Sequence, residues 1–236
     1  MFSLLRDRAE PPELMDDLSA GGAELREALQ HLRRLNRIYR AAVPTLYGVQ
    51  RLWHRANRPR RFSVLDIGCG SGDVNRRLLR WAEANGIELS LTLVDVTEEA
   101  CEEARAYYRG DSRVRVRRGD LYELPEECAE VVTGTQFLHH FADKRLEGAV
   151  RHMVRASRWG TVINDIHRHA VPWAAVWITT RLMSRNRYIR HDGPLSVAKG
   201  FRSDDWEALR DGLGEGELEY RWMPLFRYAV IIPKRG

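Results

Sequence analysis

The chain has 236 residues, 44% hydrophobic and 30% charged, with a net charge of +5 and a pI near 9.3. That balance suits a folded globular domain and excludes bulk disorder, a collagen repeat and a long coiled coil. No apolar run reaches the ~18–20 residues that span a bilayer, and the acidic start MFSLLRDRAEPPELMDD lacks the apolar core of a secretory signal. Cys69, Cys101 and Cys128 are far apart, odd in number and free of any CxxC pair. Neither a disulfide framework nor a metal site is therefore expected, and a reducing cytoplasm is the expected location. The basic residues are 35 arginines against Lys144, Lys199 and Lys234. The skew reads as coding bias on a solvated surface, and no nucleic-acid partner is expected.

Residues 1–20, with Pro11-Pro12 and scattered acids, read as a loose arm. From about Gly22, the residues Leu25, Ala28, Leu29, Leu32, Leu35, Ile38, Tyr39 and Ala42 recur at helical spacing. Pro44 is expected to break or kink that helix, with a second one running through Leu46, Val49, Leu52 and Trp53. NRPRR, residues 57–61, reads as a linker. The pattern then changes. Phe62 to Ile67 is a short apolar run ending in glycines, as a buried parallel strand would be. Further strands are expected at Leu89–Val94, Arg113–Arg117, Glu130–Thr133 and Thr161–Ile166. Helices are expected between them, at Asp73–Glu83, Glu98–Tyr108 and Lys144–Arg158. Strands alternating with helices give an α/β fold with a mainly parallel sheet. A helix opened by Ser203 and Asp204 follows, then two closing strands, Leu218–Trp222 and Phe226–Pro233.

Residues 170–201 form an insertion after the fifth strand. Its first half, through Val171, Trp173, Trp177, Ile178 and Met183, is apolar almost all round, so as a helix it is expected to be mostly buried. Its second half, Tyr188 to Ser196, contains Gly193-Pro194 and reads as a loop in which Arg190, His191 and Asp192 could touch a ligand. Trp173 and Trp177 lie four apart, a spacing that suits either an aromatic wall or core packing.

The sharpest local signal is Asp66-Ile-Gly68-Cys-Gly70-Ser-Gly72-Asp73, between a strand and a helix. Glycines let such a turn approach a ligand closely, and the helix start beyond offers unpaired N–H groups. A dinucleotide turn of the form GxGxxG would need glycine at position 73, which is Asp. The observed VLDIGCGSGD resembles motif I of the class I S-adenosylmethionine-dependent methyltransferases. The resemblance continues through Leu91–Asp95, Gly119-Asp120-Leu121 and Thr133–Asp143, a segment similar to the NxLHHFxD stretch of small-molecule methyltransferases of the ubiquinone and menaquinone type.

The resemblance implies a Rossmann-like fold: a seven-stranded, mostly parallel sheet with helices on both faces and an antiparallel last strand. It implies residues 1–57 as an N-terminal arm and helical lid and 58–236 as the methyltransferase domain, with the 170–201 insertion completing the acceptor lid. The implied cofactor is S-adenosylmethionine, leaving as S-adenosylhomocysteine. Asp66, Gly68, Cys69, Gly70 and Gly72 would form its turn, Cys69 as a packed residue rather than a nucleophile. Asp95, next to Val96, would accept the ribose hydroxyls, Asp120 would meet the adenine amino group with Leu121 flanking the ring, and Gln136 would sit at the end of the fourth strand.

A phenolic acceptor, with a pKa near 10, calls for a base, and a neutral histidine at a strand's carboxyl end is a candidate. His139, His140 and His167 stand there, with Asp165 as an orienting partner. The expected reaction is methyl transfer to a small, apolar, aromatic or lipid-like acceptor of the phenol or quinol class, O-methylation ahead of C-methylation, and a weak membrane-surface contact is compatible with the apolar insertion. Two other readings stay open: an RNA methyltransferase using its arginine stripes, and a non-catalytic module that binds S-adenosylmethionine.

Overall fold

In a computed structural model of the chain, residues 5–17, 21–214 and 218–234 are described. In chain order the elements are α1 (Gly22–Ile38), α2 (Ala42–Arg55), β1 (Arg61–Ile67), α3 (Arg76–Ala84), β2 (Glu88–Asp95), α4 (Glu98–Tyr107), β3 (Val114–Arg118), β4 (Ala129–Thr135), α5 (Asp143–Ala156), β5 (Ser157–Ile166), α6 (Ala170–Met183), α7 (Arg187–Lys199), α8 (Ser203–Leu213), β6 (Glu219–Met223) and β7 (Arg227–Pro233). The strands form one sheet in the order β3-β2-β1-β4-β5-β7-β6. The first five are parallel, while β7 runs antiparallel between β5 and β6. This is the Rossmann-like methyltransferase architecture, and the order reverses at β1, between β2 and β4.

Both faces of the sheet are covered, which is why its strands read as apolar runs. Leu52, Leu78, Leu79 and Ala104 from α2, α3 and α4 pack with Val64, Leu91 and Val162 on one face. Met153, Trp206 and Leu209 from α5 and α8 pack with Val132, Ile163 and Val230 on the other. Phe201 stacks on the fully buried Trp206 at 4.2 Å and pins the start of α8. On α2, Gly48 sits where an added Cβ would lie 2.3 Å from Val162 of β5, so the helix touches the sheet through its backbone.

Several expectations shift in detail. Pro44 breaks nothing: α1 ends at Ile38, the chain turns through Arg40 with φ 48°, and Pro44 lies in the first turn of α2, where a missing N–H costs no hydrogen bond. Tyr188 to Ser196 is not a loop but most of α7. Asn186 caps it by accepting the Tyr188 N–H, and Gly193 serves close packing, since a Cβ there would come within 2.8 Å of Thr180 on α6. Nor is α6 mostly buried. Its buried residues are Pro172 and Thr180, while Val171, Trp177, Ile178 and Leu182 face outward. No helix of the described residues is long and apolar enough to cross a membrane.

Candidate functional site

The turn after β1 is held open by three left-handed glycines, Gly68, Gly70 and Gly72, at φ 63°, 53° and 68°. L-residues pay about 1–2 kcal/mol for that conformation, so glycine is required. Three bonds fix the loop: the Cys69 N–H donates to Val94 O, the Gly72 N–H to Cys69 O, and the Gly70 N–H to Asp95 Oδ2 at 2.9 Å. The Tyr108 hydroxyl closes it from below on Gly72 O. Asp95, at the carboxyl end of β2, also accepts from Thr97 N and Oγ1. A carboxylate has about four acceptor sites, and three are used, which leaves one for a hydroxyl of a ligand. Above Gly70 an added Cβ would find only Leu29, at 3.9 Å, so that peptide is open to close approach. These residues fit the nucleoside part of S-adenosylmethionine.

Other sequence-assigned positions take different parts. Asp66 is fully buried. It accepts from Thr133 Oγ1 at 2.7 Å and Asn75 Nδ2 at 2.6 Å, and burial pushes its pKa up to about 6, against those two bonds. It positions the turn by tying β1 to β4 and to Asn75, just before α3. Burial raises the Cys69 thiol, as for a packed side chain. Asp120 accepts the Tyr122 N–H and stays exposed just past β3, whereas Leu121 packs into the core. Val96 is exposed beside Asp95. Gln136 ends β4 at φ 53° and bridges two elements: its Nε2 donates to Asn36 of α1, and its Oε1 accepts from Arg227 of β7. Asn36 donates onward to Asp73, so one polar chain runs from β7 to the glycine turn.

The three histidines proposed as bases are not equivalent. His139 is buried between two acids, with Nδ1 2.7 Å from Asp165 and Nε2 3.5 Å from Glu13. Burial alone would lower its pKa; the two carboxylates outweigh it and raise the pKa to about 9. An imidazolium with both nitrogens committed accepts no proton, which removes His139 as a base at neutral pH. His140 Nδ1 lies 2.7 Å from Asp16. His167 accepts the Trp222 indole N–H and packs edge-on to Tyr228, and burial, with the charges of His169, Arg202 and Arg168, lowers its pKa to about 4. It is neutral at pH 7 but about six orders of magnitude too weak to match a phenol of pKa near 10. Of the three, His140, with Asp16 at Nδ1, has the acid-oriented imidazole that a base uses.

Sequence reading missed the partners that the arm supplies. Glu13 and Asp16, from the segment called a loose arm, close over His139 and His140, and Lys199 of α7 reaches Glu13 at 3.7 Å and Asp16 at 3.5 Å. Asp192, expected to touch a ligand, accepts the Leu14 and Met15 N–H groups and anchors the arm. Arg190 donates to Ser184 O and Arg181 O. Glu13, His139 and His140 are close enough to share an ion, but the Lys199 ammonium already supplies the cation. Arg227 was also missed, although a charge opening an otherwise apolar strand was a visible signal. Behind the glycine turn lies a cavity of about 350 Å³ between α1 and α3, lined by Arg33, Arg37, Arg40, Arg76, Arg77 and Arg80.

Residues 64–160 match a family model described as a methyltransferase domain. None of the curated proteins matches the sequence. Among solved structures, a SAM-dependent methyltransferase from Aquifex aeolicus superposes with a TM-score of 0.61 at 14% identity, over 89% of this chain and 98% of that one. Human N-acetylserotonin methyltransferase in complex with SAM gives 0.62 at 15% identity, over 91% and 57%. An O-methyltransferase family 2 protein from Planctomyces limnophilus in complex with apigenin gives 0.53 at 14%, over 74% and 51%. The chain spans about half the length of several structures it matches, the last two among them. At such identities the likeness speaks for the fold.

Proposed function

We propose that the methyltransferase domain of this chain uses S-adenosylmethionine to methylate a small, apolar, aromatic acceptor, on oxygen ahead of carbon. The observation that carries this is the left-handed glycine turn with Asp95 fastened onto Gly70, at the carboxyl ends of β1 and β2 where ligands of open α/β sheets bind. The family match supports the reaction, and the apigenin bound to the Planctomyces protein supports the acceptor class.

When bound, S-adenosylmethionine supplies a methyl group on a sulfonium, open to in-line attack by a lone pair. The chain's part is to hold and align. Gly68, Gly70 and Gly72 let the backbone approach, and Asp95 takes a hydroxyl. Leu29 of α1 lies over Gly70, and Phe137 packs against Gly68, where a Cβ would lie 2.3 Å from its ring. Orientation of this kind can supply roughly 7–11 kcal/mol of a barrier in well-aligned systems. Of the three histidines, His140, oriented by Asp16, is the one suited to take a proton from the acceptor.

The test is binding first, then transfer. Gly70→Val forces a branched side chain into a left-handed position and into the approach path. It should weaken S-adenosylhomocysteine binding at least tenfold by calorimetry while the circular dichroism spectrum is kept. Methyl-labelled S-adenosylmethionine, incubated with protein and host extract, should then label the organic-soluble fraction. Label in RNA, or bound cofactor with no label in any fraction, would overturn the small-molecule reading.

A further inference from the structure

Arg227 opens β7 opposite Ile166 of β5 and is 5% exposed. Its Nη2 donates to Gln136 Oε1 at 3.2 Å, but its Nε and Nη1 are buried without an acceptor. Among the described residues no carboxylate pairs with it. Asp165, the acid whose charge it feels, is spent on the His139 ring and on the His139 and Ile166 N–H groups. Burial accordingly lowers its pKa to about 10, so it remains a cation at neutral pH. A buried, half-satisfied guanidinium destabilises a fold unless something answers it.

The surroundings say what that would be. Gln136 connects Arg227 through Asn36 to Asp73, so the guanidinium and the glycine turn are the two ends of one hydrogen-bonded chain. Two register pairs along, on the same face of the sheet, Asn164 Oδ1 is also buried without a partner. Tyr39, just past α1, lies near Arg227 and is hydrogen-bonded to Thr179 of α6 at 2.8 Å, so α1 and α6 are tied together over this end of the sheet. The unanswered charge is a single positive one, because His139 is matched by its own acids. A dianion would leave a buried negative charge. A phenol, with a pKa near 10, is neutral at pH 7 and answers no charge until a base removes its proton. A carboxylate is ionised at neutral pH unaided and is the natural partner of an arginine fork.

We propose that Arg227 is the specificity-determining residue of the acceptor site, and that it binds a carboxylate carried by the small acceptor. This rests on the methyltransferase reading above. The unmet donors are then the cost, in the free protein, of a site kept ready for its ligand.

The experiment uses the full chain saturated with S-adenosylhomocysteine, and the probes are four carboxylates of graded size (formate, hexanoate, benzoate and 4-hydroxybenzoate), each against its neutral amide. At least one acid should bind tenfold or more tightly than its amide. Arg227→Met should abolish that preference and Arg227→Lys should restore part of it, with S-adenosylhomocysteine affinity unchanged in both. The melting temperature of free Arg227→Met should equal or exceed that of the wild type, because an unanswered charge has been removed. If no acid is preferred over its amide, or if Arg227→Met melts several degrees lower, the arginine is structural and the proposal fails. Loss of cofactor binding by the wild type would instead overturn the methyltransferase reading, a separate outcome.

Discussion

The N-terminal arm is fastened by an imidazolium, and that fixes how stability should depend on pH. His139 lies between Asp165 at 2.7 Å and Glu13 at 3.5 Å, with its pKa raised from 6.5 to about 9. A group whose folded pKa exceeds its unfolded one stabilises fully below the unfolded value and loses that contribution as pH rises through the folded value. The expected loss between pH 6.5 and 9 is about 3 kcal/mol at most. At roughly 2–4 °C per kcal/mol for a chain of this size, the melting temperature should fall by about 6–12 °C. Other shifted groups act in lower windows. His167, lowered to about 4, costs stability only as pH falls below 6.5. Asp66, raised to about 6, has its full cost in place above that pH. Asp165 and Glu13, both held low, contribute fully above the usual carboxylate range. Thermal melts from pH 6 to 9.5 at fixed ionic strength would follow the slope, with His139→Gln as the control. That variant removes the cation between two buried carboxylates, leaving Glu13 to Lys199 and Asp165 to backbone N–H groups, so it should lose about 3–5 kcal/mol at pH 6.5 and show no further decline to pH 9. A wild-type melting temperature that is flat from pH 6.5 to 9, or a slope that persists in His139→Gln, would refute the imidazolium clamp.

Gly48→Ala places a Cβ 2.3 Å from Val162 and should destabilise by about 1–3 kcal/mol in urea unfolding while leaving cofactor affinity alone. Tyr39→Phe removes the hydroxyl bonded to Thr179. It should cost about 1 kcal/mol and speed hydrogen exchange in α6 more than in α5. Ile178 and Leu182 are 51% and 82% exposed on the outer face of α6, beside Arg181 and Arg185. The double variant Ile178→Glu, Leu182→Glu should abolish co-sedimentation with anionic vesicles without changing the melting temperature, and equal sedimentation would remove lipid docking from consideration.

The parallel core was legible because its strands carry their own pattern. Phe62–Ile67, Leu89–Val94 and Thr161–Ile166 are apolar runs, and each lies within an observed strand, β1, β2 or β5. The glycine turn was legible because its conformation demands a residue type. What escaped depended on partners distant in sequence. The helix α7 was hidden by Gly193-Pro194, which punctuates most chains but here lets two helices touch. The exposed face of α6 was hidden by composition, which does not say how much neighbouring surface is available to cover it. The histidines were found as residues, but their roles were not. His139 is set by Glu13, 126 positions earlier, and by Asp165, and no local pattern encodes a charge arriving from an arm. Arg227 showed only as a charge in an apolar strand, and its missing partners become visible once the fold has packed Gln136 and Tyr39 around it.

The place of β7 has a consequence for how the protein is made. β7, which follows all the other strands in the chain, is an interior one, wedged between β5 and β6. At 5–20 residues per second, the interval between the end of β5 and the start of β7 is roughly 3–12 s. During that time β5 presents an unpaired, apolar edge, and β6 has no neighbour to join. Cofactor turn and histidine pair can both form on the nascent chain, yet the sheet stays open on one side until β7 arrives. Arg227 arrives with them, so the charge that we assign to acceptor recognition enters the protein in the step that closes the sheet.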